Sequence, residues 1–305
     1  MSILPHIALL GPIPLDVQEA LKGSVMLLDA QALSSLPADL RSTIAKGVTS
    51  AFGGADPHML DFLPGLRLVA SVGAGTEAFD LADLAARAIA FHPTPDVMTE
   101  DTAECAVALV FALLRNSISN DKFVRNGEWA KARAPLGWRI SQRKIGVVGL
   151  GRIGRRVAEK LEALSCSISY SGRSRKDVSW TFVADVGALA KQVDVLVLTC
   201  SGGQQTRGLI NADILRQLGS QGFLVNVSRG SVVDESSLIS ALEQRQIAGA
   251  ALDVFENEPT PDPRFLDLPN CILSPHSAVL TRENRRDLIA EIKRLLGLQV
   301  GLQVV

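Results

Sequence analysis

Apolar and polar positions along this chain follow two alternating patterns. Short runs rich in Val, Ile, Leu and Ala, each stopped by Gly, Pro or Asp, alternate with stretches in which apolar residues return every three or four positions. The first pattern predicts buried strands and the second predicts the helices that cover them. In the first third the predicted strands are His6–Leu10, Val25–Leu28, Val48–Phe52, Leu66–Val72 and Ile89–Phe91, with helices over Pro14–Leu21, Asp56–Leu63 and Asp80–Arg87. The rhythm returns with strands at Ile145–Val148, Ile168–Tyr170, Asp194–Thr199, Phe223–Val227, Gly249–Val254 and Cys271–Ser274. Helices are expected between them at Ile153–Leu164, Ala212–Leu218 and Glu235–Gln246. This alternation predicts an α/β fold with largely parallel sheets.

Between the two series lies the apolar run Cys105–Leu114, expected inside a helix capped by Asp101 or Thr102 and ending at Asn116. A helix apolar on most faces is buried between layers or domains, so the crossing from a first to a second domain is placed near residue 100. Asp121–Gly137, with Trp129 and Pro135, is less regular and is expected to form an arm over a partner subunit. Arg282–Leu296 is the last long helix, expected to return to the first domain.

Composition narrows the class. A chain of 305 residues is long enough for two cores, and 47% hydrophobic content with 5% aromatics suits aliphatic sheets under helices. The net charge of −1 and the lack of a long charge run disfavour nucleic acid or a membrane surface as partner. The four cysteines, at 105, 166, 200 and 271, form no CxxC pair and suit reduced thiols in a cytoplasmic protein. The N-terminus lacks a signal-peptide pattern, and the longest apolar run is half of the roughly twenty residues a membrane span needs. No cysteine–histidine cluster has metal-ligand spacing, so no metal is expected.

The chemistry starts at Lys144–Lys176. The strand Ile145–Val148 passes into Gly149-Leu-Gly151-Arg-Ile-Gly154, then an amphipathic helix, then the strand Ile168–Tyr170. That is the order of a dinucleotide-binding unit. Gly149 permits the tight turn, Gly151 lets the backbone approach a pyrophosphate, and Gly154 lets helix and sheet lie close. The unpaired N–H groups at the helix start then face the phosphates. An NAD-selective site places an acid at the end of the second strand, and this chain has none between Leu164 and Lys176. It carries Ser171, Gly172, Arg173, Ser174 and Arg175 instead, a hydroxyl and guanidinium cluster suited to a 2′-phosphate. The bland alternative is a solvated basic turn, and the missing acid favours NADP(H).

Polar residues also gather at predicted strand ends. Arg229, Glu258 and His276 follow three successive strands of the second series, and strands of one parallel sheet end on one edge. Each has an innocent reading as a surface ion pair, a solvated loop acid or a turn residue. Together they suit carbonyl reduction by hydride, which leaves negative charge on oxygen and needs an acid beside it. A histidine supplies that acid, a neighbouring carboxylate favours and orients its imidazolium, and an arginine holds a substrate carboxylate. The glycine loops at 53–54 and 73–75 also follow strand ends, and read equally well as anion sites or as plain turns.

These residues resemble a known family, the D-isomer-specific 2-hydroxyacid dehydrogenases. The anchors are Ser71-Val-Gly-Ala-Gly75, Thr94-Pro-Asp-Val97 with Thr99-Glu-Asp-Thr-Ala103, the Gly149–Gly154 turn, Asn226-Val-Ser-Arg-Gly230, Ala251-Leu-Asp-Val-Phe-Glu-Asn-Glu-Pro259 and Ser274-Pro-His-Ser-Ala278. The resemblance implies two Rossmann-like or flavodoxin-like domains with parallel sheets. A substrate domain (1–100 plus 283–305) would be interrupted by a dinucleotide-binding domain (101–282), in a homodimer. It implies Arg229, Glu258 and His276 as catalytic residues and the backbone of Val72, Gly73, Ala74 and Gly75, with Arg229, as the substrate site. It places cofactor contacts at Thr102; at Leu150, Gly151, Arg152, Ile153 and Gly154; at Gly172, Arg173, Ser174 and Arg175; at Cys200, Ser201 and Thr206; and at Val227, Ser228, Asp253, His276 and Ala278. Asp253 would sit beside the nicotinamide carboxamide.

Within the family, Ser171–Lys176 looks like the NADPH-preferring glyoxylate/hydroxypyruvate reductase branch. Ser201-Gly-Gly203, Ser277-Ala278 and Pro93 depart from the common pattern and bear on substrate preference. The expected activity is NADPH-dependent reduction of glyoxylate and hydroxypyruvate to D-2-hydroxy acids, with NADH as a possible second cofactor. The alternatives are a reductase of bulkier 2-keto acids such as hydroxyphenylpyruvate, and a dinucleotide-sensing binding protein of the same fold.

Overall fold

The apolar runs of the first hundred residues assemble into one sheet, and those beyond residue 144 into a second. The computed structural model describes residues 4–299. The chain forms two compact units, Met1–Met98 with Leu280–Val305, and Thr99–Val279.

The first unit opens with β1 (His6–Leu9), α1 (Leu15–Leu21), β2 (Met26–Leu28), α2 (Ala30–Ser35), α3 (Ala38–Ser42) and β3 (Lys46–Ser50). It continues with α4 (Pro57–Phe62), β4 (Leu68–Val72), α5 (Leu81–Ala86) and β5 (Ala90–Pro93). The strands lie in the order β2-β1-β3-β4-β5, all parallel. Asp56 caps α4 through the His58 amide with Pro57 in the first turn, and Asp80 caps α5 through the amides of Ala82 and Asp83. Helices α2 and α3 were not anticipated. At six and five residues they are too short to display a helical period, although Asp29 caps α2 through Ala32 N.

Helix α6 (Pro95–Leu114) carries the chain from one unit into the other. It begins at Pro95, which corrects the expected start at Asp101 or Thr102. The His92-Pro-Thr-Pro95 stretch reads as a break, yet a proline in the first turn forfeits no intrahelical hydrogen bond. Then come α7 (Ser117–Arg125) and a single 3₁₀ turn at Glu128–Ala130. In this stretch Trp129 and Leu136 are 70% and 95% exposed.

The second sheet is built from β6 (Lys144–Val148), α8 (Arg152–Glu162), β7 (Ser167–Ser171), β8 (Thr181–Phe182), α9 (Val186–Ala190) and β9 (Val195–Leu198). It is completed by α10 (Ala212–Leu218), β10 (Phe223–Asn226), α11 (Glu235–Glu243), β11 (Gly249–Leu252) and β12 (Cys271–Leu273). The strand order is β12-β11-β10-β9-β6-β7-β8, all parallel, so the order reverses between β6 and β9. Side chains of these strands alternate between two apolar layers. Val147, Val195 and Val197 pack with α6 and α8, whereas Val148, Leu196 and Leu198 pack with α10 and α11. Burial on both faces explains why the strands read as unbroken apolar runs.

Helix α12 (Arg282–Leu295) closes the first unit and packs on α1 and β4. Thr281 caps it through Asn284 N, and Arg285 pairs with Asp16 at 2.7 Å. The buried Asn284 donates its side-chain amide to Val97 O at 2.6 Å. The fold is the expected α/β pair of parallel sheets, doubly wound around each. Among the described residues no helix is long and apolar enough to cross a membrane.

Candidate active site

Ligands of open parallel sheets gather outside the carboxyl ends of the strands, where the strand order reverses. Here that point lies between β6 and β9, and the glycine turn leaves β6 beside it. Gly149 takes φ +97°, and a Cβ there would lie 2.5 Å from the Cα of Cys200, so only glycine fits. A Cβ on Gly154 would lie 2.2 Å from the Gly149 carbonyl oxygen, and the bare backbone is what lets α8 lie this close to the turn. A Cβ on Gly151 would meet nothing within 4 Å, because the backbone faces open space. Thr199, missed in the sequence, locks the turn by donating its hydroxyl to the Gly149 carbonyl at 2.8 Å.

A cavity of about 680 Å³ opens from this turn. Its wall includes the predicted Leu150, Gly151, Gly172, Arg173, Ser174, Cys200, Ser201 and Thr206. The open backbone at Gly151, the start of α8 and the basic wall together fit a dinucleotide with its phosphates on the helix. Lys176 also lines the cavity, although the sequence pointed to Arg175, which is exposed and outside the wall. Thr206 steadies the far rim by donating its hydroxyl to Ser201 O at 2.8 Å. Burial pushes the Cys200 thiol up despite a hydrogen bond with Ser228. Arg152, Ile153 and Gly154, in the first turn of α8, lie outside the wall, and so do Thr102, Val227, Ser228, Asp253, His276 and Ala278 elsewhere in this unit.

Past the tip of β10, a buried asparagine sets the next segment. Asn226, 1% exposed, accepts from the Ser228 amide at 3.0 Å and the Ser228 hydroxyl at 2.7 Å, and donates to Arg229 O at 3.0 Å. Sequence reasoning quoted this residue without giving it a role. A polar residue closing an apolar strand was the available signal. Arg229 leaves this turn half-buried, and its Nη1 donates to Ser228 O at 2.8 Å. At Gly230 a Cβ would lie 1.9 Å from the Phe255 carbonyl carbon, so the Arg229 turn and the loop after β11 touch through bare backbone.

That loop carries Glu258. Its Oε1 accepts from the Phe255 amide at 2.9 Å, and its Oε2 lies 2.6 Å from His276 Nδ1. Burial pushes the Glu258 carboxyl up. The hydrogen bonds from His276 and Phe255 and the charges of His276 and Arg229 outweigh burial and leave it below the ordinary glutamate range. Glu258 is therefore a carboxylate near neutral pH, so His276 Nδ1 is the donor of the pair. The two side chains are 27% and 28% exposed. Behind them Glu235, 8% exposed, accepts from the Glu256 amide at 2.7 Å, with its own carboxyl raised by burial.

His276 itself stands in the left-handed region at φ +50°, an uncommon conformation for a residue with a Cβ. Asp253 holds it there. This carboxylate, 1% exposed, accepts from Ser277 N at 2.9 Å, from Ala278 N at 3.0 Å and from the Ser274 hydroxyl. Both oxygens are thus engaged by the turn around the histidine. In the other unit, Gly73 takes φ +115° and donates its amide to the hydroxyl of buried Thr94 at 2.9 Å. Val72 ends β4, which leaves Ala74 and Gly75 as the candidate anion donors of that loop.

The family model described as D-isomer specific 2-hydroxyacid dehydrogenase, NAD binding domain, matches residues 107–278. The 2-ketogluconate reductase of Gluconobacter oxydans is 39% identical over 287 residues, 93% of this chain and 92% of that one. The chain belongs to the D-isomer-specific 2-hydroxyacid dehydrogenase family. It is an oxidoreductase of the keto acid and hydroxy acid type and binds a nicotinamide dinucleotide. Glyoxylate/hydroxypyruvate reductase A of Arabidopsis thaliana is 39% identical over 253 residues, covering 82% of this dehydrogenase and 81% of the relative. The solved NADPH-dependent glyoxylate/hydroxypyruvate reductase of Sinorhizobium meliloti, in complex with NADP and malonate, superposes with a TM-score of 0.84. It shares 34% identity and covers 99% of this dehydrogenase and 96% of that chain.

Proposed function

We propose that this dehydrogenase uses NADPH to reduce small 2-keto acids, glyoxylate and hydroxypyruvate first, to D-2-hydroxy acids. The observation that carries the reading is the His276–Glu258 pair at 2.6 Å, with the charge of Arg229 acting on the same carboxylate. When bound, a reduced nicotinamide would supply a hydride to the carbonyl carbon. Arg229 holds the substrate carboxylate and polarises the carbonyl, which lowers the cost of negative charge on oxygen. His276, with Nδ1 turned to Glu258, delivers a proton to that oxygen from Nε2. Glu258 keeps the ring oriented and compensates its charge.

The division of labour follows the two units. Thr99–Val279 is the cofactor domain, and Met1–Met98 with Leu280–Val305 the substrate domain. The 2′-phosphate is assigned to Arg173, Ser174 and Lys176, which share one wall of the cavity. A homodimer is proposed from the stretch after α6, where Ile118, Val124, Trp129 and Leu136 are all exposed. Four free cysteines suit a cytoplasmic setting.

A second reading is a sugar-derived 2-keto acid as substrate, favoured by the near full-length likeness to a 2-ketogluconate reductase. The test is oxidation of NADPH across glyoxylate, hydroxypyruvate, 2-ketogluconate and hydroxyphenylpyruvate, repeated with NADH. Highest kcat/KM on the two small ketones with NADPH is expected. A preference for 2-ketogluconate would move the assignment to the second reading, and no turnover on any would remove both.

A further inference from the structure

Tyr170 is the penultimate residue of β7, just before the basic loop, is 1% exposed, and is among the residues that line the cofactor cavity. It packs on the Phe182 ring at 5.3 Å between centroids. Its hydroxyl accepts from the Lys176 amide at 2.7 Å and donates to the Lys176 carbonyl at 3.3 Å. One side chain therefore ties down both backbone groups of a residue six positions along. The loop 171–176 is drawn into a closed ring over the strand end.

We propose that this hydroxyl is a specificity-determining clamp, which holds Arg173, Ser174 and Lys176 on the cavity wall so that the dehydrogenase discriminates the 2′-phosphate of NADP(H) from the 2′-hydroxyl of NAD(H). The inference rests on the NADP(H) reading and deepens it. Packing alone does not call for a hydroxyl here. The chain has ten phenylalanines and only this one tyrosine, so its aromatic positions are otherwise filled without one, and phenylalanine would occupy the same volume. The loop has a reason to need a clamp, since Arg173, Arg175 and Lys176 place like charges within four positions and repel when no anion is bound. Among the described residues the other ties of this loop lie at its ends, where Gly149 N donates to Ser171 O at 2.8 Å, Ser171 Oγ to Ala184 O at 3.2 Å and Val178 N to Lys176 O at 3.0 Å. A neutral clamp built into the core keeps the donors in place before the anion arrives, which lowers the ordering cost of binding.

The clamp also accounts for the choice of Lys176 over Arg175. Fixing the backbone of residue 176 sets which side chains of the turn meet the cavity. Lys176 lines the wall and Arg175 stays outside it.

The test is calorimetric binding of adenosine 2′,5′-bisphosphate and of 5′-AMP to the wild-type enzyme, Tyr170→Phe and Arg173→Ala. Removing the hydroxyl leaves the Lys176 amide without its acceptor, and Tyr170→Phe should weaken the bisphosphate by about tenfold while 5′-AMP stays within about twofold. Retained bisphosphate affinity in Tyr170→Phe, alongside clear loss in Arg173→Ala, would overturn the clamp and leave the NADP(H) reading standing. Equal wild-type affinity for the two nucleotides would overturn the reading and the clamp with it. If Tyr170→Phe does not fold, 3-fluorotyrosine placed in the wild-type chain gives a single ¹⁹F resonance. That resonance should move further with the bisphosphate than with 5′-AMP, and identical shifts would overturn the clamp.

Discussion

Removing the Asp253 carboxylate separates two roles that this residue could hold. In Asp253→Ala the Ser277 and Ala278 amides and the Ser274 hydroxyl lose a charged acceptor. Each such bond contributes about 1.5–3 kcal/mol, and relief from burying the carboxylate offsets part of the loss. A net destabilisation of about 2–4 kcal/mol is expected. The larger effect falls on His276, which these bonds hold at φ +50°. A turn released from that conformation moves the imidazole from its 2.6 Å contact with Glu258. Misplacement by about 1 Å costs roughly a hundredfold in rate. The assay is steady-state keto acid reduction together with cofactor affinity by fluorescence quenching. The turn-holding role predicts kcat down by about a hundredfold with cofactor affinity kept. A carboxamide-binding role predicts weakened cofactor with kcat largely kept, and that result would refute the structural reasoning.

Three further outcomes follow from the same structure. Arg173→Ala should raise the KM for NADPH far more than that for NADH, and equal changes would remove the 2′-phosphate assignment. The hydrogen bonds from Arg156 and Lys160 hold the Glu100 carboxyl at about 2, well below its usual 4.5. A depressed carboxyl contributes stability that is fully present above pH 4.5 and is lost as pH falls through about 2. Since its side chain is 48% exposed, that contribution is under about 1 kcal/mol, and Glu100→Gln should remove only this slope from acid unfolding curves. Burial pushes the Cys271 and Cys105 thiols up to about 12 and about 11, so both should resist a thiol reagent at pH 8 until the protein is unfolded.

The parallel sheets were legible because each strand is buried on both faces and so reads as an unbroken apolar run. Helices α2, α3 and α9 were not, since an element of one turn or slightly more repeats no pattern. The start of α6 was misread because a proline in the first turn and a proline that breaks a helix look alike in sequence. In the site, the glycine turn and the three strand-end residues could be picked out by type and position. Their supports could not. The parts of Asn226, Thr199, Asp253 and Tyr170 depend on which backbone amide or carbonyl a side chain reaches, and that is fixed only once the turns have closed. The exchange of Arg175 for Lys176 in the cavity wall has the same origin.

In the proposed chemistry His276 gives the proton while Arg229 and Glu258 hold the substrate and the ring. The most direct measurement is kcat for glyoxylate reduction by His276→Ala, with NADPH affinity measured on the same preparation. A fall of about a hundredfold or more is expected, with affinity within about twofold of wild type. Turnover close to that of the wild type would contradict it.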